Sequence, residues 1–327
     1  MNVIRKIFGL KPKYKLKTKS YKTFQKKLIE INTDNKPHDD VVILTKPHTS
    51  YFANLLGFHF ARHKMNSVIT PYDIPAKTIN HKIVFCPQTY NDLPDGYIGY
   101  QTEQTTNDRF FQPSHLDILK KSSIMIDYAL GNIDFLKPQM QNTQFYHLPV
   151  AYCPDYISFL INNNLISNDD IYPDDERPYD VVFYGDPRNE RRQAYLTELQ
   201  KHFKVKIICG VFGMDVVKEL LKTKIIVNIH YFDQAILEIG RIYESMSLGC
   251  HVVSEKAIDQ DAHAGLEEFV DFTEIDDIQG MVSAVQNALN NQDHRNEVKR
   301  KIAQSNLDKT LTQNFDKFVT DIYKKGS

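Results

Sequence analysis

The chain has 327 residues, which at roughly 100–200 residues per domain predicts two domains. With 42% hydrophobic and 25% charged residues it has globular composition, which excludes a disordered or collagen-like chain. Forty Lys+Arg against 41 Asp+Glu leave a net charge of -1, which argues against nucleic acid as a partner of the whole molecule.

The first element is a basic arm, residues 1–27. It holds ten Lys/Arg and no acid, leaving 30 basic against 41 acidic groups for the remainder. Val3, Ile4, Ile7, Phe8, Leu10, Tyr14, Leu16, Tyr21 and Phe24 are interleaved with the lysines. That pattern suits either an anionic membrane surface or a solvated arm.

Residues 28–165 are expected to form a first domain. Short apolar runs predict strands at 41–44, 67–69, 82–85, 97–100 and 123–126, with helices from about Ser50 to His63 and at 114–121 and 132–137. Continuous apolar strands separated by helices point to a parallel sheet covered on both faces. Residues 166–179 are acidic and proline-punctuated, with Asp169, Asp170, Asp174, Asp175, Glu176, Pro173 and Pro178. They mark a linker.

A second domain, 180–305, repeats strand, turn and helix about four times. Strands are expected at 180–184, 205–209, 225–229, 251–254 and 269–272. Helices are expected at 190–202, 214–222, 238–248, 275–289 and 293–304. A last helix lies within 306–327. The fold class is α/β: two Rossmann-like parallel-sheet domains.

Cys86, Cys153, Cys209 and Cys250 lie far apart without metal-ligand spacing. They read as buried thiols of a reducing compartment. No run reaches the ~18–20 apolar residues of a membrane span, so the expected location is the cytoplasm, with the arm as a peripheral contact to the inner membrane face.

Ligands of open α/β sheets bind beyond the carboxyl ends of the strands, so the turns of the second domain matter most. Gly185 opens a turn in which Arg188, Arg191 and Arg192 gather at a helix start. Cations are unfavourable there, so either a phosphate offsets them or Asp186 and Glu190 do. Gly210 and Gly213 bracket Val211 and Phe212, a turn that suits either a flat base or a tight core corner. It lacks the spacing of a dinucleotide fingerprint. His230 ends a strand and is a candidate ligand. In the helix after it, Ile239, Ile242, Tyr243 and Met246 share one face, and Glu238, Arg241, Glu244 and Ser245 the other. The polar face is expected to turn toward a cleft.

Glu244-Ser-Met-Ser-Leu-Gly249, followed by His-Val-Val253, resembles the Glu-Ala-Met-Ala-x-Gly-x-Pro-Val-Val signature of nucleotide-sugar-dependent glycosyltransferases with the GT-B fold. The resemblance extends through Val-Val-Phe-Tyr-Gly185, Ile-Val-Asn-Ile-His230 and Glu238-Ile-Gly-Arg241. It is looser at Tyr100-Gln-Thr-Glu103 and Ile126-Asp127-Tyr128. The branch it is most similar to, glycosyl transferases group 1, is found in bacterial surface-polysaccharide and spore-coat proteins. The resemblance implies two domains facing across a cleft and a hexosyltransferase moving a sugar from a nucleoside diphosphate to a glycan or lipid-linked acceptor. Glu244 would accept from ribose hydroxyls, Gly185 and Arg188 would meet the diphosphate, and Gly210 through Gly213 would hold the base. The first glutamate of the family's pair falls at Ile236, and Glu238 is the nearest substitute.

Charge left on the departing nucleotide would be met by a helix start with Arg188 or Arg241, without a metal or other cofactor. Asp259-Gln-Asp261 has the letters of a metal motif but follows no strand. An inverting reaction would need a base from the first domain, and Glu103, His48 and Asp127 are the candidates in that order. The rival readings are a nucleotide-sugar epimerase, a DNA-base glycosyltransferase, and a non-catalytic sugar-nucleotide binder.

Overall fold

The computed structural model describes residues 29–31, 41–71, 82–90, 93, 95–105, 111–232 and 234–324. The basic arm therefore lies outside the described residues.

The first domain carries strands β1 (Ile29–Ile31), β2 (Val41–Thr45), β3 (Ser67–Pro71), β4 (Lys82–Phe85), β5 (Ile98–Gln101), β6 (Ile124–Asp127) and β7 (Gln144–His147). They form one sheet in the order β1-β3-β2-β4-β5-β6-β7. Only β1 runs antiparallel. Every residue of β2 and β4 is buried, as a strand covered on both faces requires. Helix α1 (Ser50–Arg62) follows β2, α2 (Pro113–Leu119) and α3 (Leu130–Leu136) flank β6, and α4 (Tyr156–Asn162) follows β7. Strands β1 and β7 and helix α4 have no counterpart among the sequence expectations. Burial along β7 runs exposed, half-buried, buried, half-buried, an edge-strand pattern that gives no continuous apolar run.

The second domain has β8 (Tyr179–Tyr184), β9 (Val205–Ile208), β10 (Thr223–Asn228), β11 (His251–Glu255) and β12 (Asp271–Thr273). All are parallel, in the order β12-β11-β10-β8-β9. Its helices are α5 (Glu190–His202), α6 (Met214–Leu220), α7 (Ile239–Ser247), α8 (Ile278–Asn290) and α9 (Gln292–Gln304). Three starts carry side-chain caps, that of α9 being Asn291, which accepts from the His294 N–H at 2.9 Å. Asn189 accepts from the Arg192 N–H at 3.2 Å, and Asp277 from the Gly280 N–H at 2.7 Å. In the segment between the domains, Asp174 binds Arg295 and Lys299, while the buried Arg177 donates to the Thr223 and Leu248 carbonyls.

Two contacts position the halves. The Tyr51 hydroxyl on α1 donates to the Ala151 carbonyl at 2.7 Å and lies 2.9 Å from the Ser247 hydroxyl at the end of α7. The same Ser247 oxygen accepts from the Cys153 N–H at 2.9 Å. The last helix, α10 (Lys309–Tyr323), returns to the first domain. There Phe315 meets Phe60 at 4.9 Å between ring centroids, and Phe318 meets Tyr146 at 5.1 Å.

Phe315 is fully buried, so Phe315→Ala leaves a cavity that the helix cannot close. The expected loss is about 3–5 kcal/mol, read as a lower urea midpoint. An unchanged midpoint would mean that α10 does not hold the first domain in solution.

Candidate functional site

The carboxyl ends of β2, β5 and β6 face those of β8, β9 and β10 across a cavity of about 520 Å³. The first domain contributes Pro47, His48, Ser50, Tyr51 and Phe52 from the turn into α1. Thr102 and Gln104 follow β5, and Tyr128 follows β6. The second domain contributes the Gly185–Arg188 turn, the Cys209–Gly213 turn, and the loop and helix start from Ile236 to Arg241, with Glu244 one turn further. The wall is thus built from turns, as the strand-end rule requires.

The α7 start is set by close packing. A Cβ on Gly240 would stand 3.0 Å from Phe52 Cε2, so the glycine lets α7 pack tightly against the first domain here, and a larger residue would push the Phe52 ring aside. Asp259 holds the preceding loop by accepting from the Leu237 N–H at 2.9 Å. Gly185 has φ +142, and a Cβ there would lie 3.3 Å from Arg241 Nη2. The turn after β8 and the start of α7 therefore form one continuous surface. Gly210 and Gly213 also have positive φ, which L side chains resist. Phe212 lines the cavity between them.

The three arginines of the α5 start have different fates. Arg188 forks onto the Asp186 carboxylate at 2.7 Å and is 62% exposed. Arg191 turns inward onto Glu255, itself completely buried, and onto Asp276. Arg192 is buried and binds the Ile229 carbonyl and Glu238. Only Arg188 reaches the cavity wall. Glu255 was not among the sequence candidates; it also accepts from Tyr195 and from the His230 N–H. His230 itself is 1% exposed and stands behind the wall, with Nδ1 3.9 Å from Glu238. Burial lowers its pKa first, with Glu238 and Glu255 opposing.

Arg241 donates to Asn228 Oδ1 at 2.8 Å, also binds Glu238, and lies over the Tyr184 ring at 5.2 Å. Burial opposes charge on Glu238, but Arg241 and Arg192 outweigh it and the carboxyl is held low. Glu244 differs. Its Oε2 accepts from the Tyr184 hydroxyl at 3.2 Å, and no other hydrogen bond meets its carboxylate among the described residues. Burial, only partly offset by Tyr184 and Arg241, raises it to about 7.

The first-domain candidates separate as sharply. His48 lines the cavity and is exposed to it; desolvation by the surrounding walls first and Lys46 second push its pKa down to about 4. Its imidazole is neutral at pH 7, a ready hydrogen-bond acceptor but a weak base. Glu103 lies between the wall residues Thr102 and Gln104, 4.0 Å from Cys86 Sγ, with a pKa raised by burial. Asp127 is fully buried at the end of β6. Its Oδ1 accepts from the Ala129 N–H and from Asn132, and its Oδ2 is unpartnered. Desolvation holds its pKa well up. It braces the loop after β5, because Asn132 also binds the Glu103 carbonyl and Thr105.

No known family and no curated protein matches the sequence. Solved structures do match over most of the chain. WaaG, a glycosyltransferase involved in lipopolysaccharide biosynthesis, matches with 10% identity and a TM-score of 0.50, covering 88% of this chain and 100% of that one. A sucrose-phosphate synthase from Thermosynechococcus elongatus matches with 9% identity and a TM-score of 0.48, over 88% and 100%. A glycosyltransferase from Rickettsia africae matches with 8% identity and a TM-score of 0.46, over 89% and 100%. Among the described residues no helix is long and apolar enough to cross a membrane.

A raised carboxyl pKa means that the folded state binds the proton more tightly. The contribution of Glu244 to stability is therefore full below about 4.5 and is lost as pH rises through about 7. Glu244→Gln keeps the neutral form. It should match the native protein in urea midpoint near pH 5 and exceed it by up to about 3 kcal/mol at pH 8. A difference independent of pH would contradict the assignment. The chain has the GT-B fold, as WaaG does: two parallel-sheet α/β domains facing across a crevice.

Proposed function

We propose that the chain transfers a sugar from a nucleoside-diphosphate donor to a glycan or lipid-linked acceptor without a metal. One observation carries the reading. Gly185, Arg188, Arg241 and the α7 start form one face of the crevice, beside Glu244 and the Gly210–Gly213 turn. The first N–H groups of a helix lack partners within the helix and favour an anion. Arg241 adds a fixed cation held by Asn228 and Glu238, and Gly185 lets a diphosphate reach backbone. Charge that develops on the leaving diphosphate meets preorganised donors there. The free oxygen of Glu244 suits ribose hydroxyls, and Phe212 between two glycines suits a base.

On the opposite wall His48 accepts a hydrogen bond from the acceptor or the sugar. A pKa near 4 makes it an orienting group more than a proton acceptor at neutral pH. Glu103, its pKa raised by burial, is not a lining residue, but its carboxylate stands within 4.8 Å of a ring nitrogen of the lining His48. The basic arm, with ten cations in 27 residues, supports attachment to an anionic membrane at roughly 1 kcal/mol per basic residue near the lipid.

Calorimetric titration with UDP, GDP, ADP and their sugars, in EDTA, tests the reading. One nucleoside diphosphate should bind, and Arg241→Ala should weaken it at least tenfold at a temperature where the variant's own melt shows it folded, because the change also unpairs Glu238 and Asn228. No binding, or binding indifferent to Arg241→Ala, would overturn the site. Removing residues 1–27 should abolish co-sedimentation with phosphatidylglycerol vesicles; undiminished co-sedimentation would discard the membrane role.

A further inference from the structure

Among the described residues, two groups of three side chains bring ligand atoms within 4.8 Å of one another. One is His48, Cys86 and Glu103, beside the crevice. It is a poor metal host, because burial pushes the Cys86 thiol up to about 12 and the Lys46 cation acts on both Cys86 and Glu103.

The other is His251, Asp271 and His294. His251 is the first residue of β11 and Asp271 the first of β12, so both sit at the amino ends of their strands, opposite the crevice. His294 is in the first turn of α9. The Asp271 carboxylate lies between the two rings, 2.8 Å from His251 Nε2 and 3.4 Å from His294 Nε2. The imidazoles are 5.5 Å apart between centroids and inclined at 69°. Tetrahedral ligands about 2.0–2.1 Å from an ion stand about 3.3 Å from one another, so modest side-chain rotation converges these three. The His251 side chain is 1% exposed, whereas those of Asp271 and His294 are 30% and 43% exposed. The cluster therefore has a fixed floor and a mouth open to solvent. Its ion pairs among the described residues are all internal to the trio.

We propose that His251, Asp271 and His294 form a binding site for a divalent transition-metal ion, best matched by zinc, with water in the fourth position. Two imidazoles and one carboxylate suit zinc, whereas magnesium and calcium favour oxygen-rich shells. A metal on His251 Nε2 moves the ring proton to Nδ1, which is buried and has no hydrogen-bond partner. A missing outer partner of this kind costs about 10–100-fold in affinity. The site is therefore exchangeable, and when filled it clips β11, β12 and α9 together at the end of the domain remote from the crevice.

The test uses the full chain, stripped with EDTA and dialysed, in calorimetry and thermal melts with zinc chloride and magnesium chloride. Zinc should bind with one equivalent and raise Tm by roughly 5 °C at 100 times its Kd, and magnesium should do neither. His294→Ala removes a half-exposed ligand and Asp271→Asn preserves shape. Each should weaken zinc at least tenfold, and His294→Ala should leave the metal-free Tm within about 1–2 °C of the native value. No zinc-dependent shift, an equal shift with magnesium, or zinc binding retained in both variants would overturn the proposal.

Discussion

The crevice exists because two hydroxyls fix how the domains meet. Tyr51 reaches from α1 to the Ala151 carbonyl and to Ser247, and Ser247 in turn accepts from the Cys153 N–H. All of these groups are buried, so an unmade bond would cost about 1–3 kcal/mol in desolvation alone. The junction touches the chain crossing and the far end of α7. The near end of the same helix meets Phe52 across Gly240. One helix thus spans the joint and presents Arg241 and Glu244 to the space beside it. Moving the halves apart would separate the two walls and expose these groups together.

Electrostatics then sort the basic groups by role. The interior ends of β8, β10 and β11 collect Arg191, Arg192 and Arg241 with Glu238 and Glu255, five ionised groups in a small volume. Burying a charge is tolerable only when it is paired and hydrogen-bonded, and each of these is. Two guanidiniums are thereby spent on architecture. Arg192 is wedged between the Phe183 and Tyr231 rings, each 5.2 Å away, and Arg191 closes over Glu255. Among the described residues Arg188 pairs only with the acid two residues before it, which a ligand phosphate can replace at small cost because the pair is exposed.

The second domain was the more legible half in sequence, for a physical reason. Its central strands are buried on both faces, so Val181–Phe183, Ile225–Val227 and the Val252–Val253 pair read as apolar runs. Three of its five helices start behind an Asn or Asp that caps them. The wheel of α7 placed Glu238, Arg241, Glu244 and Ser245 on one side; the first three line the crevice, whereas Ser245 is buried, and Ile239 of the apolar face lines the crevice too. Strand β7 was invisible because an edge strand against α10 alternates in burial. The Glu255 cluster was invisible because its partners are 64, 60 and 25 residues away and share no local pattern. The His251, Asp271 and His294 trio escaped for the same reason: its members sit on three elements, with none of the short spacings that mark a metal motif. The structure also re-sorts the candidates that the sequence ranked Glu103 first, then His48 and Asp127. Glu103, His48 and Asp127 each follow or end a strand, yet only His48 opens onto the cavity.

The substitution at position 236 deserves the same treatment as the charges. The resemblance places an absent glutamate at Ile236, and the structure puts Ile236 on the cavity wall beside Leu237. Glu238 is close enough in sequence to stand in, but its carboxylate is shared between Arg192 and Arg241. Turning it toward a sugar would strip two guanidiniums of a partner, one of them buried, and breaking a buried pair costs about 3–5 kcal/mol. On the proposed reading, the wall at this point would stay apolar, leaving hydroxyl recognition to Glu244 and to backbone N–H groups at the α7 start. Such a crevice would grip a diphosphate more firmly than a sugar ring, and sugar selectivity would rest on the opposite wall, lined by His48, Thr102, Gln104 and Tyr128.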